Sequence, residues 1–233
     1  MFLDAMDFKN DKEGICIGDP LPIGRDGRRF FYVIRTYDGG NSWLEIPTEQ
    51  LAPAAYGEAI FAASGTNISF LKHPDFDYAF VTGGMVSNLI MVGRNNKPNK
   101  VVYIPVVQKK ESAGTFSMAV IGRKKIYCIG GDYKIPANDL DNFSLTSGNK
   151  WKAPLRSGPT GYRSCISIIK NRTMVACGTT GVDFAKNGEK EWRKISSESF
   201  NVCMVTPRGK VYLAGERGKI ERLIYEAKAP NNK

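Results

Sequence analysis

The chain has 233 residues and a net charge of +10, from 33 Lys plus Arg against 23 Asp plus Glu. That length supports one substantial core. No apolar run reaches the roughly 18 residues of a membrane span, and the first residues lack the basic and apolar segments of a signal peptide. Five cysteines (Cys16, Cys128, Cys165, Cys177, Cys203) and one histidine (His73) show no C-x-x-C pair and no zinc-ligand spacing, so no metal and no cofactor are expected. Their odd number also argues against a disulfide framework, and their apolar neighbours read as buried thiols.

Taken in chain order, the apolar runs are short, separated by turns, and nowhere helical in period. The first group predicts strands over 3–8, 14–18, 30–36 and 43–46. Its last two strands are joined by Thr36-Tyr37-Asp38-Gly39-Gly40-Asn41-Ser42-Trp43. This run fits the pattern Ser/Thr-x-Asp-x-Gly-x-Ser/Thr-Trp, the Asp box. Thr36 and Asp38 are expected to accept backbone N–H groups, Gly39 and Gly40 to supply positive φ, and Trp43 to bury its ring between neighbouring blades. Gly40, Ser42 and Trp43 complete the structural motif.

Further groups follow at 59–63, 78–83, 89–93 and 101–105; then 116–121, 125–130, 143–146 and 151–153; then 163–169, 173–178, 182–185 and 192–195. A last group of three covers 200–206, 210–215 and 220–225. Decayed copies of the box fall at 94–101, 144–151 and 185–192, with Asn96, Thr146 and Asn187 at the Asp position. Asn and Thr keep a short side-chain oxygen for the turn. The recurrence, about every 40–60 residues, is the period of a propeller array. The fold expected is therefore all-β: a β-propeller of four-stranded antiparallel blades, four complete blades plus three strands, belonging to a six- or seven-bladed ring with N-terminal blades missing. Residues 1–226 form the propeller domain and 227–233 a disordered basic tail.

The ends of the second strands and the starts of the first strands share one face. Topology thus brings Asp19, Glu58, Asp132, Tyr133, Tyr162, Arg163, Glu216 and Arg217 to one rim, beside glycine-rich turns such as Gly130-Gly131 and Gly215-Glu216-Arg217-Gly218. Either the acids cap turns and pair with Arg163 and Arg217 to hold blades together, or the set forms a mixed acidic, basic and aromatic binding pocket.

The segments Gly18-Asp19-Pro20, Gly57-Glu58, Gly130-Gly131-Asp132-Tyr133, Gly161-Tyr162-Arg163-Ser164 and Gly215-Glu216-Arg217-Gly218, together with 36–43, carry a resemblance over nearly the whole chain. The sequence resembles bacterial BNR-repeat propellers, which are similar to photosystem II stability and assembly factors. The resemblance implies an exported, periplasmic or secreted scaffold, and many such bacterial proteins carry an oxidoreductase label. No Gly-x-Gly-x-x-Gly turn supports redox chemistry.

Two functions remain. One is a non-catalytic binding or assembly scaffold, whose partner is a protein segment or polysaccharide; the basic balance favours an acidic one. The other is a sialidase-like glycoside hydrolase, which would draw on Tyr162, Arg163, Arg217, Glu58 and Asp132, although no Phe/Tyr-Arg-Ile-Pro motif is present. The lysines are scattered and no nucleic-acid motif appears, so nucleic acid is not the expected partner.

Overall fold

Tyr78-Ala79-Phe80-Val81 holds four consecutive buried residues, and their alternation explains the architecture. Side chains of a strand alternate faces. Tyr78 and Phe80 enter one core and Ala79 and Val81 enter the next. Ile126 and Cys128 against Tyr127 and Ile129 repeat the arrangement, as do Met174 and Ala176 against Val175 and Cys177. Each of the three middle sheets is therefore sandwiched between two others, and its central strands read as continuous apolar runs.

The computed structural model describes residues 2–22, 27–123, 125–147, 150–152, 158–170, 173–186 and 192–225. Among them the first sheet runs β1 (Leu3–Phe8), β2 (Gly14–Pro20), β3 (Phe31–Thr36), β4 (Leu44–Glu45). Next in chain order come β5 (Glu58–Ala59), β6 (Ile68–Phe70), β7 (Phe76–Val81), β8 (Gly83–Gly84), β9 (Asn88–Gly93) and β10 (Lys100–Tyr103), of which β6, β7, β9 and β10 make the second sheet. The third holds β11 (Ala113–Ile121), β12 (Lys125–Asp132), β13 (Phe143–Ser147) and β14 (Lys150–Lys152), and is extended past β11 by β8 and β5. The fourth is β15 (Cys165–Lys170), β16 (Thr173–Gly178), β17 (Gly181–Ala185), β18 (Trp192–Ser196). The last has three strands, β19 (Val202–Val205), β20 (Val211–Ala214) and β21 (Ile220–Leu223). All pairings are antiparallel, as expected for propeller blades.

Two expectations need correction. The inner strand of the second blade is Ile68–Phe70, not 59–63. Glu58–Ala59 instead pairs with Gly83–Gly84, which itself meets β11 at Gly114. A Cβ on Gly114 would sit 2.4 Å from the Gly83 Cα, so this short ribbon requires glycine. Trp43 packs edge-on against Phe8 of its own blade, with centroids 6.2 Å apart, rather than between blades. Trp192 does bridge blades, packing edge-on at 5.3 Å against Phe143 of the third sheet.

The 36–43 hairpin closes on side-chain oxygens. Thr36 Oγ1 accepts the N–H groups of Asp38 (3.3 Å) and Gly40 (2.9 Å). Asp38 Oδ1 accepts from Ser42 N at 2.9 Å and Oδ2 from Ser42 Oγ at 2.6 Å. Hydrogen bonds from the Ser42 hydroxyl and N–H, with Thr36 adding a third, hold the Asp38 carboxyl at about 2. Gly39 and Gly40 have φ of 79° and 95°. Of the stretches expected from sequence to repeat this hairpin, residues 148–149 and 187–191 lie outside the described residues, as does the 227–233 tail. At 94–101 the chain turns, with Asn95 and Asn96 at φ 53° and 62°.

Toward the centre, hydroxyls link the inner strands. Thr66 Oγ1 lies 2.6 Å from Ser117 Oγ, which in turn accepts the N–H of Ile166 at 3.1 Å. Ser64 Oγ donates to the carbonyl of Ser164 at 2.7 Å, and Ser167 Oγ to that of Cys203 at 2.7 Å. These bonds satisfy polar groups where the inner strands converge.

Candidate functional site

In an antiparallel meander, the loops entering the first strand and leaving the second share one end. Every rim residue named from sequence lies in or beside these loops, but their environments divide them sharply.

Arg163 and Asp183 are each 0% exposed. Arg163 Nε donates to Asp183 Oδ2 at 2.6 Å, and its Nη1 donates to the Tyr162 carbonyl and Thr180 Oγ1, both at 2.7 Å. Arg163 is thus a buried strut inside the fourth blade. Glu58 is likewise buried, accepting from Ala55 N at 2.7 Å, Asn88 Nδ2 at 3.0 Å and the Thr82 hydroxyl. It fixes the crossover into the second blade. Asp19 is exposed and accepts the Ile60 N–H at 3.0 Å, tying the first blade to that same crossover.

Asp132 is buried, with Lys110 Nζ 3.2 Å away and Lys134 N donating at 3.0 Å. Burial alone would raise its carboxyl, but the Ser112 hydroxyl, the Lys134 N–H and Lys110 together hold it below the usual value. Glu216 and Arg217 occupy an exposed turn on the fifth blade, where Arg217 adopts φ 57°.

What the structure does gather is aromatic. Phe61 stacks on Phe116, centroids 4.0 Å apart and planes 4° from parallel. Phe116 meets Tyr162 edge-on at 4.8 Å and Tyr133 edge-on at 6.2 Å. This file of rings runs from the second blade through the third to the fourth. Burial pushes the Tyr162 phenol above its ordinary value, with Cys177 and Tyr133 adding to the shift, so it stays protonated. Sequence reasoning reached Tyr133 and Tyr162 through their glycine-flanked loops. It missed Phe61 and Phe116, which looked like ordinary strand residues.

Around this file the same end exposes apolar side chains, Tyr133 of the file among them. Tyr56 is 90% and Leu140 70% exposed; Met85, Tyr133 and Ile135 lie between 40% and 49%. Exposed Lys109, Lys110 and Lys134 flank them. Apolar exposure with a charged border, here also carrying the exposed acids Glu111, Asp139 and Asp141, is a feature of binding surfaces.

The five cysteines are buried free thiols, and Cys165 and Cys177 face each other across β15 and β16. Among the described residues, no group of three or more His, Cys, Asp or Glu side chains could hold a metal ion. Also among them, no helix is long and apolar enough to cross a membrane.

No protein-family model and no curated protein matches the chain. Solved structures do. A chain described as YCF48 bound to D1 peptide superposes with a TM-score of 0.58 at 16% identity, covering 99% of this chain and 64% of that one. The WD40 β-propeller domain of Doa1 aligns with a TM-score of 0.39 at 11% identity, over 97% of this chain and 93% of that domain. The fold is that of a β-propeller. This chain spans 64% of the YCF48 chain's length.

Proposed function

We propose that this propeller is a binding scaffold that holds an extended, acidic protein segment on the end of the second and third blades. The observation that carries this reading is the exposed set Tyr56, Met85, Tyr133, Ile135 and Leu140, bordered by Lys109, Lys110 and Lys134. Apolar side chains of a bound segment would cover the former, and its carboxylates would meet the latter. The likeness to a propeller whose structure holds a peptide supports the choice of a protein segment over a polysaccharide. The glycoside-hydrolase alternative is weakened because Arg163 is engaged by Asp183, and Glu58 by Asn88, Thr82 and Ala55. The hydrogen-bonded 36–43 hairpin fits an Asp box acting as a clasp on the opposite end, in keeping with BNR-type repeats.

An immobilised peptide array of acidic, neutral and basic 12-residue segments of matched apolar content tests the proposal. Selective retention of acidic segments, lost in Tyr133→Ser/Leu140→Ser and weakened by salt, is expected. Retention without preference for acidic segments, or unchanged in that double variant, would refute it.

A further inference from the structure

At the end of the molecule opposite the rim, a turn joins the first strand of each blade to the second. In the first blade this turn is electrically balanced: Lys9 and Lys12 stand against Asp11 and Glu13, with Lys9 Nζ 2.8 Å from Glu13 Oε2. From the second blade onward the balance is lost. Lys72 lies in the turn before β7, Arg123 and Lys125 at the entry to β12, Lys170 at the end of β15, and Arg208 and Lys210 between β19 and β20. Four consecutive blades thus place six cations on these turns. The acid described among them, Asp75, is taken up by Lys97 of its own blade.

Lys72, Arg123, Lys170, Arg208 and Lys210 are exposed, and none of them is paired with a carboxylate among the described residues. Scattered along the sequence, these charges reach one end because every blade repeats the same meander. A shallow cleft of about 380 Å³ joins the first three blades there. Lys9, Lys72, His73, Arg94 and Arg123 line it with Leu71 and Pro74, and no acid does. Lys9 is occupied by Glu13 and Arg94 by Asp77, so Lys72 and Arg123 are the cations left to meet a ligand. The rim end, by contrast, sets Glu111, Asp139, Asp141 and Glu216 among its cations.

Unpaired charges of one sign on one face repel each other and draw a polyanion. The form of the surface narrows which one. The cations stand on the tips of separate turns rather than along a groove that could track a strand of nucleic acid. No large aromatic side chain stands exposed in these turns to stack on a base. Cations spread over one end match a headgroup layer, where each near-surface charge strengthens partitioning about fivefold. We infer that this end, from the second blade to the fifth, docks the protein on an anionic phospholipid surface, with a headgroup phosphate seated between Lys72 and Arg123. So docked, the protein holds the rim and its peptide surface away from the bilayer.

Flotation of the whole chain with vesicles of phosphatidylcholine alone, and of phosphatidylcholine mixed with phosphatidylglycerol, tests this. Partition to the mixed vesicles only, released by high salt, is expected. Lys72→Gln/Arg123→Gln should weaken it by at least about tenfold. Arg217→Asn/Lys194→Gln removes the same charge elsewhere, keeps a residue suited to the positive φ at 217, and should leave partition within about twofold of the native chain. All four side chains are exposed, so both variants are expected to fold, as circular dichroism will verify. Absence of partition to the mixed vesicles at low salt overturns the inference, as does equal partition to phosphatidylcholine alone. An equal effect of the two double variants overturns it too, and so does tighter binding of a duplex DNA probe at the same salt. Peptide retention at the rim is expected to survive Lys72→Gln/Arg123→Gln, so the two surfaces fail or stand separately.

Discussion

Replacing Arg163 with Leu is expected to destabilise the fold severely. The side chain is fully buried, and its loss strands Asp183 without its only described cationic partner, in a site from which water is excluded. Asp183 Oδ1 already lacks a donor among the described residues, so no second contact compensates. The Tyr162 carbonyl and the Thr180 hydroxyl lose a donor as well. Removing one member of a buried ion pair costs about 3–5 kcal/mol, against a total domain stability of roughly 5–15 kcal/mol. For a chain of this size that is a fall in Tm of roughly 6–20 °C. Converting both partners, Arg163→Leu with Asp183→Leu, should recover most of the loss, because the desolvation penalty of both charges disappears together. Urea titrations followed by tryptophan fluorescence measure both. A single-variant loss below about 1 kcal/mol, or a double variant no better than the single, would refute the account of Arg163 as a buried strut.

Asp4 supplies a pH test. Burial first, then the neighbouring Asp19 charge, raise its carboxyl to about 7, against a smaller opposing hydrogen bond from the Asp19 N–H. The folded state therefore favours the protonated acid; this contribution is complete below about pH 4 and is lost as pH rises through about 7. Unscreened, the shift would amount to about 4 kcal/mol, and partial exposure reduces it to about 1–2 kcal/mol. The difference in urea midpoint between Asp4→Asn and the native chain should widen from pH 4 to pH 8; a constant difference would contradict it. Gly114→Ala should cost about 2–3 kcal/mol by driving a methyl into Gly83, whereas Gly122→Ala, with φ 61° and nothing within 4 Å, should cost only about 1 kcal/mol of backbone strain. Equal Tm values for the two variants would remove the steric argument for the Gly83–Gly114 crossing.

Much of the fold was legible because a blade buried on both faces writes itself as a continuous apolar run between glycine turns. Ile126–Ile129 and Val175–Cys177 are of this kind. The second blade's inner strand was not legible. It has only three residues, Ile68-Ser69-Phe70, too few to show a period, and the richer apolar run at 59–63 drew the assignment. Its ordering depends on pairing with Tyr78–Phe80, a contact at a distance in sequence. Arg163 was placed at the rim by its Gly-Tyr neighbours, although a clue to its burial lay in Val182-Asp183-Phe184, where an acid interrupts an otherwise buried strand. The Lys109, Lys110 and Leu140 surface was hidden for the opposite reason. Loop residues carry no periodicity, and only the closed meander shows that three separate loops share one end.

The hydroxyl contacts near the axis bear on how the molecule comes apart. Blades that touch only their immediate neighbours would melt stepwise, like an unzipping array. The bond from Ser64, which leads into the second blade, to the carbonyl of Ser164, at the start of the fourth, spans a whole intervening blade. It acts as a chord across the arc, and a chord cannot be released one blade at a time. The three central blades should therefore open as one cooperative unit in native-state hydrogen exchange, and a single methyl-for-hydroxyl change at the chord, Ser64→Ala, is enough to ask whether they still do.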